Sequence, residues 1–278
     1  MKALQKKQIA QFLDKFSDYL SGSHEPLLRY EFSDDRMPSW KSGAPARTEK
    51  PALCGKLMVG TGGDECTGEG APAKPTATDA LKIIAGEIAA CGNCALHAQR
   101  IKPVPGEGVP HPLVMIVGEA PGADEDRSGR PFVGAAGQLL DKMLNAIGLS
   151  RGKNCFITNV VKCRPPQNRD PNEVESRACF TFLQRQLQIL KPMLILTLGN
   201  VPSRILLEKE SGITKLRGTW HEFNGIPVMP TFHPSYLLRD ESQKAPAWED
   251  LKTLCARLAD MDGVYNAETA DLRRKRNI

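Results

Sequence analysis

Pro112-Leu113-Val114-Met115-Ile116-Val117-Gly118-Glu119-Ala120-Pro121-Gly122 decides the fold class of this chain. The apolar run Leu113–Val117 is short and ends on a Gly- and Pro-containing polar turn, the pattern of a strand buried on both faces. Working outward, Ala135–Ile147 follows with Leu139, Leu140, Met143, Leu144 and Ile147 on one helical face. Cys155–Val161 reads as the next strand, Glu173–Leu190 as a helix and Met193–Leu198 as a third strand. Val201–Glu210 is helical, Ile226–Thr231 is again a strand, and Trp248–Met261 closes as a helix. Strands alternating with helices predict an α/β fold with a parallel sheet covered on both faces. Ligands of such sheets sit beyond the carboxyl ends of the strands. Three of those ends, Val117–Gly122, Thr158–Cys163 and Thr231–Ser235, are polar and turn-forming, and are expected to converge on one site.

The chain has 278 residues, of which 41% are apolar and 25% charged, so a sizeable core is within reach and wholesale disorder is excluded. This length suits one catalytic-sized domain with an extension. Residues 36–80 hold twelve Gly or Pro, including Gly60-Thr61-Gly62-Gly63 and Ala71-Pro72-Ala73-Lys74-Pro75, and read as a linker. Ahead of it, Leu4, Ile9, Phe12, Leu13, Phe16, Tyr19 and Leu20 form a helical stripe. The expected division is an N-terminal extension over 1–80, a catalytic domain over 81–262 and a basic tail over 263–278. Thr78-Asp79 is the expected cap of the first domain helix, which runs through Ile83, Ile84, Ile88 and Ala89.

No apolar run approaches the roughly 18–20 residues of a membrane span, and the start, Met1-Lys2-Ala3-Leu4-Gln5, is no apolar signal core. A soluble, cytoplasmic protein without membrane partners is expected, with a monomer as the default. The net charge of +5 permits a polyanionic partner without requiring one. The tail Arg273-Arg274-Lys275-Arg276 is read as a solvated terminus, with non-specific phosphate contact as the alternative.

Eight cysteines in a chain without a secretory signal favour metal or cluster ligation over disulfides. Cys91-x2-Cys94 follows a helix, and Cys163 and Cys179 are separated by fifteen residues. That spacing is compatible with a Cys₄ zinc site or a 4Fe–4S cluster and does not choose between them. Cys54 and Cys66 read as loop thiols, and Cys155 and Cys255 as core.

Three loops carry a resemblance. Gly118-Glu119-Ala120-Pro121-Gly122, continuing through Arg130-Pro131-Phe132-Val133-Gly134, is similar to the first motif of family 4 uracil-DNA glycosylases, the iron–sulfur branch of that superfamily. Asn159-Val160-Val161-Lys162-Cys163-Arg164-Pro165-Pro166-Gln167-Asn168-Arg169 resembles their second motif, and His233-Pro234-Ser235-Tyr236-Leu237-Leu238-Arg239 their third. The order and spacing of Cys91, Cys94, Cys163 and Cys179 resemble their cluster ligands. The resemblance spans about residues 86–259 and leaves residues 1–80 outside. It implies a 4Fe–4S cluster and a three-layer α/β/α sandwich around a four-stranded parallel sheet. It also implies hydrolysis of the N-glycosidic bond of uracil in single- or double-stranded DNA, which releases uracil and leaves an abasic site.

The chemistry suits those residues. The target nucleotide has to leave the duplex stack and enter a pocket. By resemblance His233 donates to uracil O2 and stabilises the leaving anion. The amide of Asn159 pairs with O4 and N3–H of uracil and rejects cytosine, while Phe132 stacks on the flipped ring. Gly118 permits close approach. Glu119 is implied near the sugar, positioning or activating water, and Glu125 is implied to obstruct a C5 methyl. Leu237, Leu238 and Arg239 resemble a wedge-and-anchor segment, and Arg164, Arg169 and Arg217 are candidate phosphate contacts. The cluster is expected to pin the segment after Cys163 against the one before Cys91, without redox turnover.

Two other readings remain open. One is a relative that binds or covalently traps uracil-DNA without turnover; it would carry a reactive His shortly after the second motif, and none stands there. The other is a non-catalytic iron–sulfur protein that binds nucleic acid, or a protein partner through residues 1–80.

Overall fold

The protein is described by a computed structural model over residues 75–261. The stripe Leu4–Leu20, the linker as far as residue 74 with Cys54 and Cys66, and the basic tail lie outside the described residues. Helix α1 (Ala77–Ala90) begins just ahead of the expected boundary at residue 80. Its cap is Thr76, not Thr78: the Thr76 hydroxyl accepts from the Asp79 N–H at 3.2 Å, and the Asp79 carboxylate accepts back from the Thr76 N–H. This reciprocal pair satisfies two donors at the helix start, which Thr78 next to Asp79 could not do.

Along the chain follow β1 (Glu107–Gly108), β2 (Val114–Gly118), α2 (Ala123–Ser128), α3 (Ala135–Ala146), β3 (Cys155–Asn159) and α4 (Glu173–Leu190). They are succeeded by β4 (Leu194–Leu198), α5 (Asn200–Leu207), α6 (Ile213–Leu216), β5 (His221–Phe223), β6 (Ile226–Thr231), α7 (Pro234–Arg239) and α8 (Lys244–Met261). The sheet order is β1-β3-β2-β4-β6-β5. Its centre, β3-β2-β4-β6, is the expected four-stranded parallel sheet. Antiparallel β1 and β5 extend it at the two edges to six strands. Both edge strands are too short, at two and three residues, to show an apolar period in sequence. Helix α8 starts four residues before Trp248, because Pro246 falls in the first turn, where no intrahelical N–H is needed.

Every residue of β2, β3 and β4 is buried. Alternate side chains feed two cores, as a period of two demands. Val114, Ile116, Cys155, Ile157, Leu194 and Leu196 meet Leu140, Leu144, Leu251 and Leu254 of α3 and α8. Met115, Val117, Phe156 and Ile195 meet Ile84, Ile88, Leu183 and Leu187 of α1 and α4 on the other face. The result is a three-layer α/β/α sandwich. No helix among the described residues is long and apolar enough to cross a membrane.

Parallel pairing sets the strand ends level. Gly118 pairs with Asn159, and Leu198 with Thr231. The loops after β2, β3 and β6 therefore leave the sheet along one edge.

Candidate active site

Asn159 ends β3 and is 1% exposed, and its Oδ1 is buried without a hydrogen-bond partner among the described residues. Buried acceptors are rarely left so, because desolvation without a replacement bond is costly. Two neighbours define where this amide looks. A Cβ added to Gly118 would stand 2.4 Å from Asn159 Oδ1 and 2.6 Å from Phe132 Cζ, so only glycine lets the three groups meet. Phe132 is 6% exposed, and its ring centroid lies 5.7 Å from that of His233 with the planes tilted by 33°. Gly118, Asn159, Phe132 and His233 are thus brought together from three loops separated in sequence.

His233 caps α7. Its Nδ1 accepts from the Ser235 N–H at 3.1 Å and lies 2.8 Å from Ser235 Oγ. A backbone N–H can only donate, so Nδ1 is the acceptor, and the proton of the neutral ring stands on Nε2. Burial lowers the imidazole to about 4, the Arg239 charge pushes the same way, and Glu125 opposes both. His233 is therefore a neutral N–H donor at physiological pH. On its other side Gly199, with φ +92°, lies close enough that a Cβ would stand 3.0 Å from His233 Cβ.

The first-loop carboxylates differ from one another. Burial pushes Glu119 up to about 7, reinforced by the charge of Asp170 and a hydrogen bond between the two side chains. Glu125 is engaged by backbone: Oε1 accepts from the N–H groups of Val133 at 2.8 Å and Gly134 at 3.0 Å, and Oε2 from that of Gly122 at 3.1 Å. Its carboxylate braces the Phe132 loop.

Of the expected DNA-contacting residues, Leu238 and Arg239 are exposed and Leu237 is not. Leu237 is 1% exposed in the core that holds α3 and α8, because the helical turn of α7 points it inward. Exposure sets Leu238 apart from it, at 46%. Arg164 donates to Asn168 Oδ1, and Arg169 forms a bidentate pair with the buried Glu175 at 2.7 and 2.8 Å. Arg217 pairs with buried Asp250, donates to the Pro246 carbonyl and lies 5.1 Å from the centre of the Phe232 ring. It fastens α8 to the end of β6.

Cys91, Cys94, Cys163 and Cys179 line one apolar cavity with Ile88 and Phe182. Arg100 donates from Nη1 to Cys163 Sγ at 3.2 Å, and the Lys162 N–H to Cys179 Sγ at 3.3 Å. No three His, Cys, Asp or Glu side chains among the described residues are gathered tightly enough for a single metal ion. Beside the cavity Lys162 is 1% exposed, and its Nζ donates to Thr158 Oγ1 at 2.6 Å, the Asn159 carbonyl at 2.7 Å and Gln186 Oε1 at 2.8 Å.

Sequence reasoning missed Asp170, Lys162 and Gly137. A Cβ at Gly137 would stand 2.0 Å from the Phe132 carbonyl oxygen. A glycine inside an apolar helix was the one available signal for such a close approach. No local pattern announces that Asp170 faces Glu119.

The arrangement sets an aromatic ring, a buried amide oxygen and a neutral imidazole donor close together beyond the strand ends. The sequence profile of the Uracil DNA glycosylase superfamily matches residues 105–252. A type-4 uracil-DNA glycosylase of Sulfurisphaera tokodaii is 46% identical over 185 residues, covering 63% of this chain and 84% of the relative. That of Thermotoga maritima is 43% identical over 171 residues, covering 61% and 88%. A type-5 uracil-DNA glycosylase of Pyrobaculum aerophilum is 34% identical over 152 residues, covering 49% and 67%. This chain belongs to the uracil-DNA glycosylase superfamily and, within it, to the type-4 branch.

Proposed function

We infer that this protein, a DNA repair enzyme that excises uracil, does so with Asn159, Phe132 and His233 as its base-reading and catalytic groups. The observation that carries this reading is the Oδ1 of Asn159, buried beside the Phe132 ring and without a partner among the described residues. Uracil offers an N3–H for that oxygen and an O4 acceptor for the amide Nδ2. Cytosine offers the opposite pattern at both atoms, so a fixed amide would leave two buried groups mismatched against it. Phe132 supplies the stacking face for the flipped base.

Hydrolysis breaks the C1′–N1 bond and joins a water oxygen to C1′. Charge accumulates on the sugar as cation and on uracil as anion. His233 Nε2–H donates to O2 where the anion develops, and the Ser235 N–H and hydroxyl on Nδ1 keep the proton on the outward nitrogen. A protonated imidazole is not required, in keeping with its depressed pKa. Glu119, coupled to Asp170, orients or deprotonates the attacking water once it is ionised. Arg239 and Leu238 meet DNA backbone and stack beside the flipped nucleotide.

The donor set of the cysteine cavity fits an iron–sulfur cluster. Four thiols share an apolar wall, and two of them receive N–H donors. Cys91, Cys94, Cys163 and Cys179 would hold a 4Fe–4S cluster, whose contribution when bound is to tie the second motif to α1 and α4. Replacing Cys163 by Ser is expected to lower folded yield and activity together, and a soluble, colourless, fully active variant would refute this role.

The direct test is release of labelled uracil from an oligonucleotide carrying one deoxyuridine, with a deoxycytidine control. Release from the first substrate alone is expected. Binding of uracil-DNA without release would overturn the catalytic assignment.

A further inference from the structure

Phe132 has φ +53° and is the only aromatic with positive φ among the described residues. A bulky side chain disfavours that left-handed conformation, and it persists only where the surroundings over-determine it. Here one backbone group from each of four consecutive residues is gripped, from two sides. Arg151 donates from Nη1 to the Pro131 carbonyl at 2.8 Å and from Nη2 to the Phe132 carbonyl at 2.9 Å. Glu125 Oε1 takes the next two groups, the N–H of Val133 and of Gly134.

Arg151 is itself aimed. Asp141 Oδ1 on α3 accepts from its Nε at 3.1 Å and its Nη2 at 2.8 Å, and Glu107 on β1 lies 3.7 Å from its Nη1. Its side chain is only 15% exposed, so these charge-assisted bonds act with little competing water. Gly137 leaves room for the gripped carbonyl.

The geometry points to Arg151 as a positioning residue for the stacking ring. Backed by Asp141, it holds the strained 131–132 backbone that keeps Phe132 facing Gly118 and His233. Without the fork the turn relaxes toward negative φ and carries the ring away from the base pocket. This inference rests on the reading in which Phe132 stacks on uracil.

A double-mutant cycle on single-turnover uracil release from a single-stranded oligonucleotide tests it, using Arg151→Met, Phe132→Ala and the pair. Arg151→Met is expected to slow release about tenfold when Phe132 is present and less than about twofold when it is already Ala. Melting temperature should fall equally in both backgrounds. Binding of an abasic-site oligonucleotide, which has no base to stack, should match the wild type. Arg151→Lys should not restore the rate, because one ammonium cannot span two carbonyls and Asp141 together. Equal losses in both backgrounds, or full rescue by Lys, would overturn the clamp. A Phe132→Ala protein as active as the wild type would instead sink the stacking reading beneath it. Should Arg151→Met fail to fold, Asp141→Asn removes the aim while leaving the guanidinium, and the same dependence on Phe132 decides the outcome.

Discussion

Asn159 and Lys162 stand three residues apart at the end of one strand, both almost wholly buried, yet their polar atoms are treated in opposite ways. The Lys162 ammonium has three donors and three acceptors at 2.6–2.8 Å, one of them the Asn159 carbonyl. The Asn159 side-chain oxygen has no partner among the described residues. A saturated buried cation makes a rigid joint, whereas the open acceptor is, in the function proposed above, the group that the uracil N3–H meets. Lys162 holds the strand end so that Asn159 can remain unpaired and still be well placed. On that proposal, base reading and stability are divided between neighbours on the same turn of chain.

Substitution should break this comparison cleanly. Asn159→Ala and His233→Ala are each expected to cost about 10²–10³ in the rate of uracil release, the scale of losing one preorganised donor or acceptor. Asn159→Ala should leave the melting temperature unchanged or raised, since it removes a buried polar atom that folding had left unpaired. Lys162→Met should do the reverse. It strands three buried acceptors, with an expected loss of about 3 kcal/mol in urea unfolding. Activity per folded molecule should fall far less than in Asn159→Ala. Equal stability losses in the two variants would dissolve the distinction.

Acidity sharpens it further. Glu119 has its folded pKa raised to about 7 from an ordinary 4.5, so the folded state holds its proton longer than the unfolded one. Its stabilising contribution is complete below pH 4.5 and is lost as pH rises through 7. His233 is lowered to about 4 from 6.5, so its contribution has the opposite sign: it is present above 6.5 and lost as pH falls through 4. Between these limits the two trends oppose each other. Glu119→Gln should therefore expose an unmasked rise in stability from pH 4 to 6.5 in a melting series. The same variant should abolish a rise in kcat/KM through pH 7 if the ionised carboxylate serves the water. A wild-type rate profile flat across pH 6–8 would remove Glu119 from that role.

The smallest effects concern the arginines. Arg239→Ala should weaken DNA binding and shallow its salt dependence by about one phosphate contact in a titration at several salt concentrations, with little change in stability. Arg217→Ala, which strands buried Asp250, should lower the melting temperature while leaving that slope intact.

Much of the frame was legible in sequence. The apolar runs 114–118, 194–198 and 226–231 and the helix Glu173–Leu190 announce themselves through period, length and turn chemistry, which are local properties. The short edge strands carry no such signal, and Leu237 and Leu238 look alike until the packing of α7 turns one inward. Among the arginines, Arg217 and Arg239 are chemically equivalent in the sequence. Only the fold brings Asp250 to one and leaves the other exposed.

By itself, then, the sequence determined the α/β/α class and the three loops that meet at the sheet edge, and the resemblance of those loops singled out Asn159, Phe132 and His233. It could do so because those features are written in contiguous residues. The tertiary structure alone decided that Asn159 Oδ1 has no partner among the described residues, that His233 carries its proton on Nε2, and that Glu119 faces Asp170. It also decided that Arg151 grips the backbone of Phe132 from nineteen residues away. Those are relations between groups distant in the chain, and hydrogen-bond saturation, desolvation and charge coupling come into being only when folding sets such groups side by side.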